Sequence, residues 1–136
     1  MEGLPDWEPG TPGVLCVAGP HAIPVSTAVR ASEDRLLLAL ASGRETLRRL
    51  REDPHAAFCL LGRGVAFTAE GEARVVAERL EAAPVVAVEL RVSGVQDHLA
   101  DGRSEIVDGA RWRRTEERYA ESDAAIDQEL RRLAAR

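Results

Sequence analysis

The stretch Val65–Ala77 limits the folds open to this chain more than any other part of the sequence. It has the composition of one long strand, and Gly71 interrupts it near the middle. A glycine inside a strand pattern indicates a β-bulge, and a bulge lets the strand bend. Because a sheet needs long, bent strands to close on itself, this stretch predicts a small barrel.

The other strand-like stretches are shorter. We predict strands at residues 14–18, 22–29, 35–41, 57–61 and 85–92. Within 22–29 the β-branched residues fall on odd positions, at Ile23, Val25, Thr27 and Val29. One face is therefore apolar, while the small residues of the other face would let a flat ligand lie close to the backbone.

Residues 35–41 form a short apolar run, most simply a strand buried on both faces. The turn residues 31–34 before it predict antiparallel pairing with strand 22–29. Together with Val65–Ala77, these stretches predict a mainly β (α+β) fold of six antiparallel strands.

A short basic helix is predicted after residue 42. Ser42 and Glu45 have the spacing of a capping box, which starts the helix at Gly43, and Asp53-Pro54 ends it. The free N–H groups of its first turn, the Ser42 and Thr46 hydroxyls and Arg44 would together suit a phosphate. The alternative is an ordinary capped helix with solvated arginines.

The two ends of the chain are predicted to be simpler. Residues 1–12 form an extended leader with Trp7 as an anchor on the barrel. The turn signals Asp101-Gly102 and Asp108-Gly109 predict a small terminal hairpin. Residues 113–135 form a C-terminal helix whose apolar stripe packs on the barrel or across a dimer interface, and the stripe contains Tyr119, Ile126, Leu130 and Leu133.

Composition narrows the class of ligand. With 136 residues, of which 45% are hydrophobic, we expect one globular domain spanning residues 1–136. A net charge of −5 and few aromatic residues argue against nucleic acid and anionic membrane as partners, and favour a small molecule. The N-terminal sequence has no signal-peptide pattern, so we expect a cytoplasmic protein.

Residue types that carry catalysis or metal binding are sparse. Cys16 and Cys59 lack metal-ligand spacing and are interpreted as reduced core residues, with a redox pair as the alternative. The three histidines are scattered, so no metal site is expected. Neither a Ser-His-Asp set nor a carboxylate pair is evident, and we assign no catalytic side chain.

Four short motifs carry a resemblance to a known family. They are Gly19-Pro-His21, Ile23-Pro-Val25, Leu50-Arg-Glu-Asp-Pro54 and Gly71-Glu-Ala-Arg-Val-Val76. In order and spacing, residues 12–112 resemble the FMN-binding split β-barrel proteins related to pyridoxamine-phosphate oxidase, which include deazaflavin-dependent reductases. The resemblance implies a six-stranded antiparallel split β-barrel with a short basic helix and a C-terminal helix.

The resemblance also implies a set of cofactor-binding residues. Carried over by position, they are Pro24, Val25, Ser26, Thr27, Ala39, Leu40, Ser42 and Thr46. Thr46 stands where the family usually has a phosphate-binding lysine, and Arg49 stands at a frequent asparagine. All 18 basic residues of this chain are arginine, so Arg44 or Arg49 would supply the missing charge.

The implied activity is that of a flavin-dependent oxidoreductase. It would bind FMN, or coenzyme F-420, at the interface of a homodimer and act on a small-molecule substrate. Such enzymes need few catalytic side chains, since the cofactor carries the chemistry. The alternatives are a non-catalytic flavin or haem binding protein, and an empty barrel used as an interaction scaffold.

Overall fold

The computed structural model describes residues 3–136, which form seven strands and two helices. The strands are β1 Gly13–Val17, β2 His21–Val25, β3 Val29–Ser32, β4 Arg35–Ala41, β5 His55–Gly62, β6 Val65–Ala77 and β7 Val85–Asp97. The helices are α1 Glu45–Glu52 and α2 Glu117–Ala134. Neither helix is long and apolar enough to cross a lipid bilayer.

The seven strands make one antiparallel sheet in the order β2-β1-β5-β6-β7-β4-β3. Its outermost strands, β2 and β3, are consecutive in the chain, and residues 26–28 connect them. The sheet therefore curls into a barrel that is closed by this connection, and we call the gap that residues 26–28 cross the seam. The predicted split β-barrel is confirmed, with seven strands in place of six.

The seam corrects the prediction of a single strand at 22–29. β2 pairs only with β1, whereas Val29 and Arg30 pair with Leu37 and Leu36 of β4. Val25 lies in the barrel core, but Val29 lies in a second apolar cluster outside the barrel. The alternation of apolar residues continues through the break because each half has its own core to face.

Strand β4 confirms the prediction of burial on both faces. Leu36, Leu38 and Leu40 point into the barrel core, and Leu37 points into the outer cluster. There it meets Ile126 and Leu130 of α2, which are both buried. The C-terminal helix thus packs on the barrel, and it begins at Glu117 instead of Arg113. Tyr119, which was predicted in the buried stripe, is 44% exposed.

The leader is anchored as predicted, but the terminal hairpin is wrong. Trp7 packs against Phe58 and Phe67, and its Nε1 donates to the Ala28 carbonyl oxygen at 3.4 Å. The backbone forms a turn at Gly102, yet residues 98–116 contain no strand. Ile106 instead accepts a hydrogen bond from Gly64 N–H in the β5–β6 turn, so this segment lies against its neighbours and not against itself.

The predicted capping box at Ser42 is also wrong. Residues 41–44 form a turn in which Arg44 N–H donates to the Ala41 carbonyl oxygen at 3.1 Å. The helix consequently begins at Glu45, with Arg44 at the N-cap position and no capping side chain. Ser42 is two residues too early to cap it. The predicted end at Asp53 is confirmed.

Gly71 makes the bulge that the sequence predicts. The β6–β7 register shifts between Glu70 and Gly71. A methyl group added at Gly71 would lie 1.9 Å from the Arg91 carbonyl oxygen, an atom of the neighbouring backbone. The close approach of β6 and β7 at the bend therefore requires glycine.

We predict that Gly71→Ala lowers the free energy of unfolding by about 1–3 kcal/mol or more, because the backbone of β7 must shift to admit the methyl group. Gly94→Ala is the matched control, since a methyl group there meets nothing within 4 Å. Urea unfolding of both variants measures the difference. Equal stability of the two variants would contradict the close approach.

Candidate functional site

A groove opens at the seam, where the ends of β2 and β4 come near each other. Its volume is about 380 Å³, within the range of roughly 300–1,000 Å³ that is usual for small-molecule sites. We call it the seam groove, and it is lined by Ile23, Pro24, Val25, Ser26, Thr27, Ala39, Leu40, Ala41, Arg44, Trp112 and Arg114.

Thr27 holds the two sides of the groove together. Its Oγ1 donates to the Ala39 carbonyl oxygen at 3.3 Å and accepts from the Ala39 N–H at 3.1 Å. A threonine side chain thus takes the place of the strand that would have satisfied this part of the β4 edge. The groove exists because the Thr27 side chain, and not a paired strand, links the two edges here. A side chain leaves space that a strand would fill.

Seven of the ten cofactor-binding residues predicted from the sequence line this groove. They are Pro24, Val25, Ser26, Thr27, Ala39, Leu40 and Arg44. Val25 and Leu40 belong to the barrel core, so only their outer edges face the groove. Ser26, Thr27 and Ala39 are small and partly exposed, which gives the groove a low wall close to the backbone.

The other three residues lie elsewhere. Ser42 is in a separate hollow between α1 and β7. Thr46 is fully buried, and its hydroxyl is hydrogen-bonded to His21 Nε2 at 2.9 Å. Arg49 crosses to the β1–β2 turn, where it donates to the Ala18 carbonyl oxygen at 3.3 Å. The structure therefore does not bring these three residues to the groove.

The arginines around α1 differ in their partners. Arg48 pairs with Glu45 and Glu52, Arg49 pairs with Glu45, and Arg51 pairs with Glu78. Arg44 has no carboxylate partner among residues 3–136. Arg44 is also the member of this group that lines the seam groove. The arginine at the groove is thus the one whose charge no carboxylate of residues 3–136 neutralises.

The ion pairs of α1 also account for its titration. The Arg48 guanidinium, hydrogen-bonded to the Glu45 carboxylate, holds the pKa of Glu45 at about 2, and Arg49 adds to this effect. Just beyond the helix, hydrogen bonds from the His55 backbone and ring lower the pKa of Asp53, and the pKa of His55 rises in return. Glu45 is consequently ionised at neutral pH, and its carboxylate forms ion pairs with Arg48 and Arg49.

Four groove residues were not among the predicted cofactor-binding residues: Ile23 and Ala41, which are next to predicted ones in β2 and β4, and Trp112 and Arg114, which lie in a different part of the chain. Arg114 Nε donates to the Asp123 carboxylate of α2 at 2.6 Å, and its guanidinium lies 5.7 Å from the centre of the Trp112 ring. The Trp112 side chain remains 48% exposed above the groove. No sequence pattern singles out Trp112, because its position depends on the contact of Arg114 with Asp123 of α2.

Chemically, this arrangement suits a flat ligand with an anionic end. Arg44 provides a free cation beside the first N–H groups of α1, where the helix dipole also favours negative charge. The small residues of the seam and the Trp112 ring provide apolar surface for a planar group. An isoalloxazine or deazaflavin ring with a phosphate-bearing tail fits this combination of residues.

The cysteines and histidines do not add to the site. Cys16 and Cys59 are free and half-buried, and they lie on the outer face of the sheet instead of in the core. The prediction that Cys16 and Cys59 lie in the core is therefore wrong. Within residues 3–136, no three His, Cys, Asp or Glu side chains are grouped as metal ligands would be.

Comparison with known proteins relates the chain to others through its fold. No protein-family model matches it, and no curated protein matches it by sequence. Among solved structures, a Listeria innocua protein named as a candidate pyridoxamine 5'-phosphate oxidase is 16% identical, with a TM-score of 0.53 over 65% of this chain and 88% of that chain.

Two further structures carry names of flavin or deazaflavin proteins. A FAD-binding protein of Mesorhizobium loti is 13% identical, with a TM-score of 0.53 over 62% of this chain and 81% of that chain. An F-420 reductase is 12% identical, with a TM-score of 0.55 over 65% of this chain and 91% of that chain. The chain therefore has the fold expected from the sequence resemblance.

We predict that Ser42→Ala leaves the free energy of unfolding within about 0.5 kcal/mol of the parent, because the exposed serine makes no capping bond. Thr46→Val should instead cost about 1 kcal/mol, since it removes the hydroxyl partner of His21 without changing side-chain volume much. Chemical denaturation measures both values. A larger loss for Ser42→Ala than for Thr46→Val would contradict this assignment of the hydrogen bonds.

Proposed function

We propose that the protein is a flavin-dependent oxidoreductase that binds FMN, or alternatively coenzyme F-420, in the seam groove and acts on a small molecule. The observation that carries this proposal is Arg44. It lines the groove, and it has no carboxylate partner among residues 3–136, whereas Arg48, Arg49 and Arg51 are all paired.

The phosphate end of the cofactor is assigned to Arg44 and the start of α1. Thr46 is buried against His21, so it cannot replace the family's lysine as a direct phosphate contact. Arg49 is held at the β1–β2 turn by Glu45 and Ala18. By elimination, Arg44 supplies the charge.

The ring end is assigned to the low wall of the groove and to Trp112. Ser26, Thr27 and Ala39 let a planar group approach the backbone, and the indole shields it from water on one side. When bound, the flavin or deazaflavin supplies the transfer of electrons or hydride. The residues of the chain then bind and orient it, which agrees with the lack of an obvious catalytic side chain. The names of the structural neighbours support a ligand of this class.

The proposal predicts that Arg44→Ala weakens FMN by roughly tenfold or more, because a charge-assisted hydrogen bond contributes about 1.5–3 kcal/mol. Riboflavin, which has no phosphate, should bind the parent and the variant alike. Arg63→Ala is the matched control, since Arg63 is exposed in the β5–β6 turn and does not line the groove. Titrations of FMN, riboflavin and coenzyme F-420, followed by absorbance, measure these affinities.

Several outcomes would redirect the proposal. An equal loss of FMN and riboflavin in Arg44→Ala would mean that Arg44 acts through folding. Binding of coenzyme F-420 alone would assign the deazaflavin. No binding of any of the three, together with a colourless purified protein, would favour the empty scaffold. Flavin bound without turnover of any electron donor or acceptor would favour the non-catalytic binding protein.

We also propose a homodimer in which the second copy covers the open side of the seam groove. Pro24 of the groove, Val14 of β1 and Cys59 of β5 lie side by side on the outer face of the sheet. Val14 is 40% exposed, and Leu61 farther along β5 is 51% exposed. This row continues the groove as apolar surface, which a second barrel would bury.

The dimer predicts that Val14→Arg shifts the protein toward a monomer and weakens flavin binding, since a buried charge at a two-fold interface is repeated on both copies. Val107→Arg is the control, because Val107 is 77% exposed and belongs to no strand of the sheet. Multi-angle light scattering with and without FMN measures the mass. A parent protein that is a stable monomer with flavin bound would contradict the proposal.

A further inference from the structure

Glu45 is the acidic residue in the first turn of α1, and it directly follows Arg44. Consecutive Cα atoms are about 3.8 Å apart, so this negative charge starts next to the cation that is assigned to the phosphate. A carboxylate at a helix N-terminus is stabilised by the helix dipole, as a bound anion would be. Glu45 therefore competes with a ligand for the positive end of α1.

The Glu45 carboxylate also binds two arginines. Its Oε1 accepts a hydrogen bond from Arg49 Nε at 3.0 Å, and its Oε2 accepts one from Arg48 Nε at 3.1 Å. Arg48 has Glu52 as a second partner at 2.7 Å, whereas the ion pair of Arg49 is with Glu45. The pKa of Glu45 is about 2 as a result, so the carboxylate and its ion pairs are present at neutral pH.

The positive charge that remains for a ligand is consequently small. Arg48 and Arg49 are both paired with carboxylates, and Arg44 alone of these three has no carboxylate partner among residues 3–136. One unmatched cation balances an anion with a single negative charge. A phosphate monoester carries almost two negative charges at neutral pH, because its second pKa is about 6.

We propose that Glu45 determines which phosphates the seam groove accepts. By pairing with Arg48 and Arg49, it limits the free charge at the groove to that of Arg44, so a phosphodiester with one negative charge binds as tightly as a monoester with two. Glu45 does not line the groove, so it acts on the ligand through its charge and not through contact. This role rests on the proposed function, because it concerns the phosphate of a cofactor in that groove.

Three ligands with the same isoalloxazine ring separate the effect of charge from that of the ring. At about pH 8, riboflavin is uncharged, riboflavin 4′,5′-cyclic phosphate carries one negative charge and FMN carries nearly two. Titrations of the full-length protein, followed by flavin absorbance, measure the three affinities. We expect the parent to bind FMN and the cyclic phosphate with similar affinity, and both more tightly than riboflavin.

Glu45→Gln should tighten FMN binding by roughly two- to fivefold, which is the usual effect of one charge at an exposed helix end. The cyclic phosphate should gain about half as much on a logarithmic scale, because Coulomb energy is proportional to ligand charge. Riboflavin should not change. Glu52→Gln is the matched control, since it removes the same charge and another partner of Arg48 about 10 Å further along α1. It should bind all three ligands as the parent does.

A double variant tests whether charge is the cause. Glu45→Gln combined with Arg49→Gln removes one negative and one positive charge, so the ratio of FMN to cyclic-phosphate affinity should return to that of the parent. Urea unfolding of each variant shows whether it is folded under the conditions of the titration. A double variant that keeps the ratio of Glu45→Gln would contradict a role through charge.

Three results would overturn this role of Glu45: a parent that binds FMN much more tightly than the cyclic phosphate, an unchanged ratio of the two in Glu45→Gln, or an equal gain in Glu52→Gln. Inorganic phosphate separates the inference from the proposed function, because its binding requires no ring. Phosphate should raise the melting temperature of Glu45→Gln more than that of the parent, with sodium chloride at equal ionic strength as the reference.

The two proposals can therefore fail separately. A larger phosphate effect in Glu45→Gln, in a protein that binds no flavin or deazaflavin, would overturn the proposed function alone. Flavin binding by the parent, with no effect of Glu45→Gln on either FMN or phosphate, would overturn the role of Glu45 alone. No response to flavin or to phosphate in any variant would overturn both.

Discussion

The constraint on which this structure depends is the shortness of the chain between β2 and β3. Residues 26–28 connect the two outermost strands of a seven-stranded sheet. From Val25 to Val29 the chain can reach at most about 14 Å, at roughly 3.3–3.6 Å per residue. In a flat sheet, six spacings of about 4.8 Å would put those strands about 29 Å apart. The sheet must therefore curl until its edges meet, and the Gly71 bulge lets the long strand β6 follow that curve.

The candidate site follows from the same constraint. Two edges that meet without pairing leave backbone groups to be satisfied by other means, and Thr27 satisfies those of Ala39. The space that a paired strand would have filled is the groove. The turn after β4 places Arg44 at the edge of this groove. The candidate site is thus built from backbone edges and small residues, with the charge of Arg44 at one end.

Local sequence patterns predicted the parts of the fold that local physics decides. Strands β4 and β6 were predicted with their observed bounds, because apolar runs and a glycine bulge leave a direct signature in the sequence. The break after Val25 left none, since both halves of the stretch bury alternate residues against different cores. The capping box at Ser42 failed because a turn at residues 41–44 took up the residues that the motif needed.

The candidate site was predictable to a similar extent. Residues of β2 and β4 could be assigned by resemblance, because their position depends on the fold alone. Trp112 could not, since its place depends on Arg114 reaching Asp123 in α2. The pairing of the α1 arginines could not be predicted from the sequence either. Spacing on a helix shows that Glu45 can meet Arg48 or Arg49, but not that Arg44 has no carboxylate partner among residues 3–136.

The pairing of β4 with β7 has a consequence for how the protein is made. The whole of β4 pairs with β7, from Arg35 opposite Arg91 to Ala41 opposite Val85. During synthesis, the edge of β4 that faces away from β3 therefore has no partner strand until β7 has left the ribosome. Until then, the β3–β4 hairpin carries leucines on two faces with nothing to cover them, because α2 comes later still. Closing contacts of such long sequence separation slow folding. The β4–β7 pairing, which closes the barrel, consequently forms only after residues 85–97 have been synthesised, and until then the leucines of β4 are open to association with other surfaces.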